Sequence, residues 1–182
     1  MIRKFIFALA LFILVAPGAS FAASGLGDKI PHDFSLKNQN GEVKNFDDLS
    51  GQKGVVVFFV RSADWCPYCQ VQMLDLRDQG KAIEKLGYKI VTISYDKPEV
   101  LKKFTDKNNI NYTMLSDVGS VAIKDFGILN GSFDIDHFAY GVPEPHVYII
   151  SKNQAILGIL SEEGYKKRPQ IEAIVETIKA LD

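Results

Sequence analysis

Residues 54–60, Gly-Val-Val-Val-Phe-Phe-Val, carry no polar position, and after the glycine every residue is β-branched or aromatic. A run of this kind predicts a central strand buried on both faces. "YKIVTISY" (88–95) predicts a second buried strand, and "HVYIIS" (146–151) and "AILGIL" (155–160) predict two more around a Lys152-Asn153 turn. In "DFSLKNQNGEVKNF" (33–46) short apolar alternations flank Asn40-Gly41, a hairpin signal. The pattern turns helical from Cys66 to about Leu86, with Val71, Leu74 and Ile83 on one side, Gln72, Asp75 and Arg77 among the polar positions, and Gly80 as a break or bend. Pro98 opens a helix to Asn108, and Ser116-Asp117 can cap another running to Phe126. Residues 168–181 close the chain as an amphipathic helix, with Ile171, Ile174, Val175, Ile178 and Leu181 at 3–4 spacing. This order predicts an α/β domain: a mixed central sheet flanked by helices, with an N-terminal β-hairpin. Only 127–145, rich in Gly and Pro, fits no element, and loops of that length are usually functional or disordered.

The N-terminus follows a different rule. Arg3 and Lys4 precede an apolar run from Phe5 to Val15, Pro17-Gly18 breaks it, and Ser20-Phe21-Ala22 offers small residues at a cleavage site. This is the layout of a secretory signal peptide (1–22), and the run is short of the roughly 20 residues a spanning helix needs. We therefore expect an exported, periplasmic or secreted protein with one mature domain, 23–182, and no stable membrane insertion after cleavage. Removal of Arg3 and Lys4 leaves 19 basic against 22 acidic residues, with no basic patch to suggest a nucleic-acid partner.

Both cysteines lie in "SADWCPYCQVQ" (62–72), spaced C-x-x-C. Pro67 suits the first helical position, which makes Cys66 the cap residue, its sulfur facing free backbone N–H groups and the positive end of the helix dipole. Cys69 lies three residues on, on the same face, within reach of a disulfide. We expect Cys66 to be exposed and activated and Cys69 sheltered, the asymmetry that thiol–disulfide exchange requires. A structural zinc site lacks a second ligand pair, because His32, His137 and His146 are scattered. A purely stabilising staple closing so small a loop would constrain little of the unfolded chain.

"VVVFFVRSADWCPYC" resembles the active-site region of the thioredoxin superfamily. With "DFSLKNQNGE", "DLSG", "LSDVGSVAIKDFGI" and "PHVYIISKNQAIL", the chain from about Asp28 onward resembles the AhpC/TSA redoxins, the group that holds the peroxiredoxins. The resemblance implies a thioredoxin-like fold and a Cys66–Cys69 pair that cycles between dithiol and disulfide. Cys66 would attack and Cys69 resolve. Trp65, Pro67, Tyr68 and Pro145 would shape the substrate surface, and Pro145 matches the family's cis-proline.

The family pattern is incomplete here. Peroxiredoxins carry a Thr or Ser three residues before the peroxidatic cysteine. If Cys69 is that cysteine, Cys66 takes the position; if Cys66 is, Ala63 does. Their distant arginine precedes a strand like "HVYII", where this chain has Pro145; Arg61 and Arg77 are the stand-ins, against an ordinary role as solvated charges. Thioredoxins place a buried Asp where this chain has Val60, and Glu144 is a candidate base if the long loop folds back over the motif. Tyr68 brings no positive charge between the cysteines, so we expect less thiolate stabilisation, and a less strongly oxidising pair, than in a motif with His at that place. The expected function is thiol–disulfide exchange on protein or small-molecule disulfides, with an unidentified thiol electron donor and no cofactor. The alternatives are a peroxiredoxin-like peroxidase acting on peroxides, and a Cu(I) chaperone using Cys66, Cys69 and His146. Asp134, Asp136 and His137 read as loop polarity.

Overall fold

The computed structural model describes residues 24–164 and 166–181; the proposed signal peptide therefore lies outside the described residues. Strands β1 (Leu36–Asn38) and β2 (Val43–Lys44) form the expected hairpin, with Gly41 taking the positive φ of 80° that its turn demands. A single-turn helix α1 (Phe46–Leu49) follows, closed by a reciprocal box in which Asn45 and Asp48 cap each other's backbone N–H. The rest of the chain is β3 (Gly54–Phe59), α2 (Pro67–Gln79), α3 (Lys81–Glu84), β4 (Tyr88–Ser94), α4 (Pro98–Asn108), β5 (Thr113–Ser116), α5 (Val121–Asp125), β6 (His146–Ser151), β7 (Ile156–Ser161) and α6 (Ile171–Ala180).

The strands make one seven-stranded sheet in the order β2-β1-β5-β4-β3-β6-β7. β3, β4 and β5 run parallel, as the intervening helices require, while β6 pairs antiparallel with β3 and the two hairpins occupy the edges. β3 is central and every one of its residues is buried. Its side chains alternate between two cores. Val56 and Phe58, continued by Val60, pack with α2, α3, α4 and α6. Val55, Val57 and Phe59 pack on the other side with α1, α5 and an aromatic cluster of Phe34, Phe126 and Tyr148.

Two local expectations are revised, and one strand is added. Ser116 ends β5 and does not cap a helix; the Asp117 carboxylate does that, accepting the N–H groups of Val121, Ala122 and Ile123. β5 itself is four residues long, too short to show a period, and exists because β4 and β1 both pair with it. On α2 the buried side differs from the expected one. Val71 is 59% exposed, whereas Gln72 is buried beside Cys69, Met73 and Leu76, which at 3–4 spacing turn the helix's inner face to the core. Gly80 does end α2, its N–H donating to the Leu76 carbonyl before α3 begins.

Candidate active site

β3 ends in the middle of the sheet and delivers residues 60–65 to the N-terminus of α2. A buried carboxylate pins this connection. Asp96, two residues past the end of β4, accepts hydrogen bonds from the Ala63 N–H (2.7 Å), Ser62 Oγ (2.8 Å) and Ser94 Oγ (2.9 Å). Burial raises its pKa above the ordinary carboxylate range, and these hydrogen bonds pull the other way. No aspartate stands at Val60, but a buried acid supports the same loop from the neighbouring strand.

Cys66 is the N-cap of α2 and Pro67 its first residue, and the Cys66 sulfur accepts the Cys69 N–H at 3.3 Å. Cys66 and Cys69 are joined as a disulfide, with Cα atoms 5.3 Å apart, and α2 remains intact from its first turn. Neither cysteine is exposed: both are at 0%. The expectation of an exposed Cys66 beside a sheltered Cys69 is therefore corrected, because the loop and its neighbours close over both sulfurs.

The covering groups come from four places. Arg61 Nη2 lies 3.4 Å from Cys66 Sγ, and the same guanidinium sits 5.4 Å from the centre of the Trp65 ring. Arg168, from the segment leading into α6, places Nη2 3.4 Å from Cys69 Sγ. Burial, aided by nearby Arg61, lowers the Arg168 pKa to about 10, so it stays charged at neutral pH. Trp65 is held by a hydrogen bond from its Nε1 to Tyr95 Oη (2.9 Å), which in turn donates to the Phe138 carbonyl (3.1 Å), and the Phe138 ring meets Trp65 edge-on. The long loop thus folds back over the motif through Phe138.

Glu144 is not the residue that arrives. It is exposed, and it makes backbone contacts: its N–H donates to the Ile128 carbonyl, and its own carbonyl meets His146 Nδ1. Pro145 is half-buried and stands level with Val60, one step beyond the Phe59–His146 pair. No cis peptide occurs among the described residues, so the Glu144–Pro145 bond is trans. The chain passes straight into β6 there, and an X-Pro bond left to itself favours trans. Arg77 faces away, bound to Asp78 and the Asn108 carbonyl. Among the described residues no three His, Cys, Asp or Glu side chains converge as a metal site, so His146 does not join the two cysteines. His137 lies between the rings of Phe133 and Phe138, 4.7 Å from each, with its Nδ1 accepting the Ala139 N–H. Asp134 and Asp136 are exposed on the same loop.

Beside Cys69, a groove of about 470 Å³ runs between α2 and the segment before α6, lined by Tyr68, Val71, Gln72, Lys167, Arg168 and Pro169 among others. Arg168 stands between this groove and the sulfur. Sequence reasoning missed Arg168 and Asp96, since each acts across a separation that no local pattern encodes; Arg168 and Cys69 are 99 residues apart.

The family model for the AhpC/TSA family matches residues 26–159. Peroxiredoxin Bcp of Escherichia coli K12 is 39% identical over 102 residues, which cover 56% of this chain and 64% of that protein. The chloroplastic peroxiredoxin Q of Arabidopsis thaliana is 29% identical over 163 residues, 90% of this chain and 71% of that protein. Among solved structures, peroxidoxin BcpB from Mycobacterium tuberculosis superposes with a TM-score of 0.73 at 24% identity, covering 86% of this chain and 97% of that one. This last likeness shows the thioredoxin-like peroxiredoxin fold.

Proposed function

From the chain's membership of the AhpC/TSA family, we propose that this protein is a peroxiredoxin-type thiol peroxidase in which Cys69 attacks the peroxide and Cys66 resolves. The observation that carries this reading is the Arg168 guanidinium on Cys69 Sγ, with the N-cap three residues earlier occupied by Cys66. Taking Cys69 as the peroxidatic cysteine puts Cys66, the N-cap of α2 three residues earlier, at the place of the Thr or Ser of the peroxiredoxin pattern, and Ser and Thr are themselves favoured N-caps. The distant arginine of that pattern is replaced by one from a different segment. Roles are thus reversed relative to simple exchange, and the burial of both sulfurs disfavours direct engagement of a protein disulfide.

The Cys69 thiolate, steadied by Arg168, attacks the terminal peroxide oxygen. The O–O bond breaks, Cys69 becomes a sulfenic acid, and the departing alkoxide or hydroxide takes up a proton. The Cys66 thiol then attacks the sulfenic sulfur and expels water, giving the Cys66–Cys69 disulfide. Both residues sit in the first turn of one helix, so closure needs no unwinding. Two equivalents of an external thiol return the pair to dithiol; attack on Cys69 expels Cys66, whose sulfur is held by Arg61 and the Cys69 N–H and so leaves readily.

The test is stopped-flow oxidation with stoichiometric hydrogen peroxide. Cys69→Ser abolishes fast thiol loss, while Cys66→Ser keeps the first step and accumulates a dimedone-reactive sulfenate. Wild-type thiol loss no faster than that of a free thiol refutes the peroxidase. The apolar run at 5–15 supports export; N-terminal sequencing of the processed protein checks it, and an intact Met1 in the mature product refutes it.

A further inference from the structure

Two guanidinium groups converge on the Cys66–Cys69 bridge from distant parts of the chain, Arg61 on Cys66 and Arg168 on Cys69, each at 3.4 Å. Both residues are nearly buried, at 7% and 8% exposure, and they are close enough that Arg61 helps lower the pKa of Arg168. A disulfide is neutral and a weak acceptor, so it gives little back to two nearby cations. Once it is reduced, a sulfur between them can carry a full negative charge. In a site shielded from water that attraction is several-fold stronger than in bulk solvent. The gain falls on the reduced state alone, which favours dithiol over disulfide, the sense in which a stabilised reduced form makes DsbA an oxidant.

We propose that Arg61 and Arg168 together set the redox poise of this pair, retaining a thiolate in the reduced protein at neutral pH and making the disulfide easy to reduce. The uncharged Tyr68 between the cysteines implies a less strongly oxidising pair than a His would; the positive charge proposed to act here comes from outside the motif and works in the opposite direction. The proposal rests on the pair cycling between dithiol and disulfide, and not on peroxide being its oxidant.

With glutathione as reductant the step balances as follows. The protein S–S bond breaks and one S–S bond forms between two glutathiones, which supply two electrons. Of their two thiol protons, one goes to a protein sulfur and the other to solvent. While the thiolate persists, the apparent equilibrium constant therefore rises about tenfold per pH unit; two protonated thiols make it flat.

The experiment equilibrates the protein in glutathione redox buffers from pH 6 to 8, under argon and without metal, and reads the dithiol fraction by thiol alkylation and mass. We expect the tenfold pH slope in the wild type. Arg168→Gln and Arg61→Gln should each favour the disulfide about tenfold, equivalent to about 30 mV. Arg168→Lys restores most of the wild-type value, and the double Gln variant loses the pH slope. A flat wild-type profile, or Gln variants indistinguishable from wild type, overturns the proposal. Should one Gln variant fail to fold by circular dichroism, the other and the wild-type slope still decide. Absent peroxide turnover alongside a wild-type slope refutes the peroxidase and leaves this assignment standing.

Discussion

Asp96→Ala tests whether one buried carboxylate holds the active-site loop. It removes the acceptor for the Ala63 N–H, Ser62 Oγ and Ser94 Oγ. The two hydroxyls can rotate to other partners, but the Ala63 N–H cannot, and Ala63 is 2% exposed. A hydrogen bond to a charged group is worth about 1.5–3 kcal/mol, and the raised pKa of Asp96 shows that burial offsets part of that gain. We expect a net loss of about 2 kcal/mol. For a domain of this size that lowers Tm by about 4–8 °C. Urea and thermal unfolding of the oxidised protein, followed by far-UV circular dichroism, would measure it. Asp96→Asn separates charge from hydrogen bonding, because its amide oxygen can still accept from Ala63. Since the folded pKa is raised, the contribution of this proton is fully present below the unfolded carboxylate pKa of about 3.9 and is lost as pH rises through the folded pKa. Wild type should therefore lose stability relative to Asp96→Asn as pH rises above about 4 and through the raised folded pKa. A value for Asp96→Ala within about 0.5 kcal/mol of wild type, the usual range of an inert substitution, would refute the argument that this carboxylate anchors the loop.

Trp65 is the only tryptophan and has Arg61 against its ring, so its fluorescence should change on reduction of the disulfide; an unchanged spectrum means the ring does not sense the pair. Phe126→Ala removes a fully buried ring packed on Phe34, Phe59 and Tyr148 and should cost about 3–5 kcal/mol in chemical denaturation. Asp117→Ala strips the acceptor from three N–H groups at the start of α5 and should cost about 1–2 kcal/mol, with Asp117→Asn recovering part of it. Burial pushes the Tyr148 phenol up to about 12. Its neutral form should survive an alkaline absorbance titration beyond the ordinary tyrosine range, which the Tyr148→Phe difference spectrum can isolate.

The strands and the C-terminal helix were legible because their information is local. A run such as Val55–Val60 or the Ile171/Ile174/Ile178 spacing states its own burial, and Pro67 and Pro98 mark helix starts through a fixed φ and a missing N–H. The Cys66 N-cap was legible for the same reason. The α/β order and the place of the two cysteines at the head of a helix are therefore written along the chain. How those sulfurs are surrounded depends on the folded arrangement. β5 became a strand through its neighbours, the Asp96 carboxylate reached the loop from the adjacent strand, and the segment before α6 brought Arg168 to Cys69. Side-chain charge acts through space over a few ångströms, whereas sequence patterns report periodicity along the chain. The chemistry of this pair depends on groups that only the completed sheet and its helices bring within that distance.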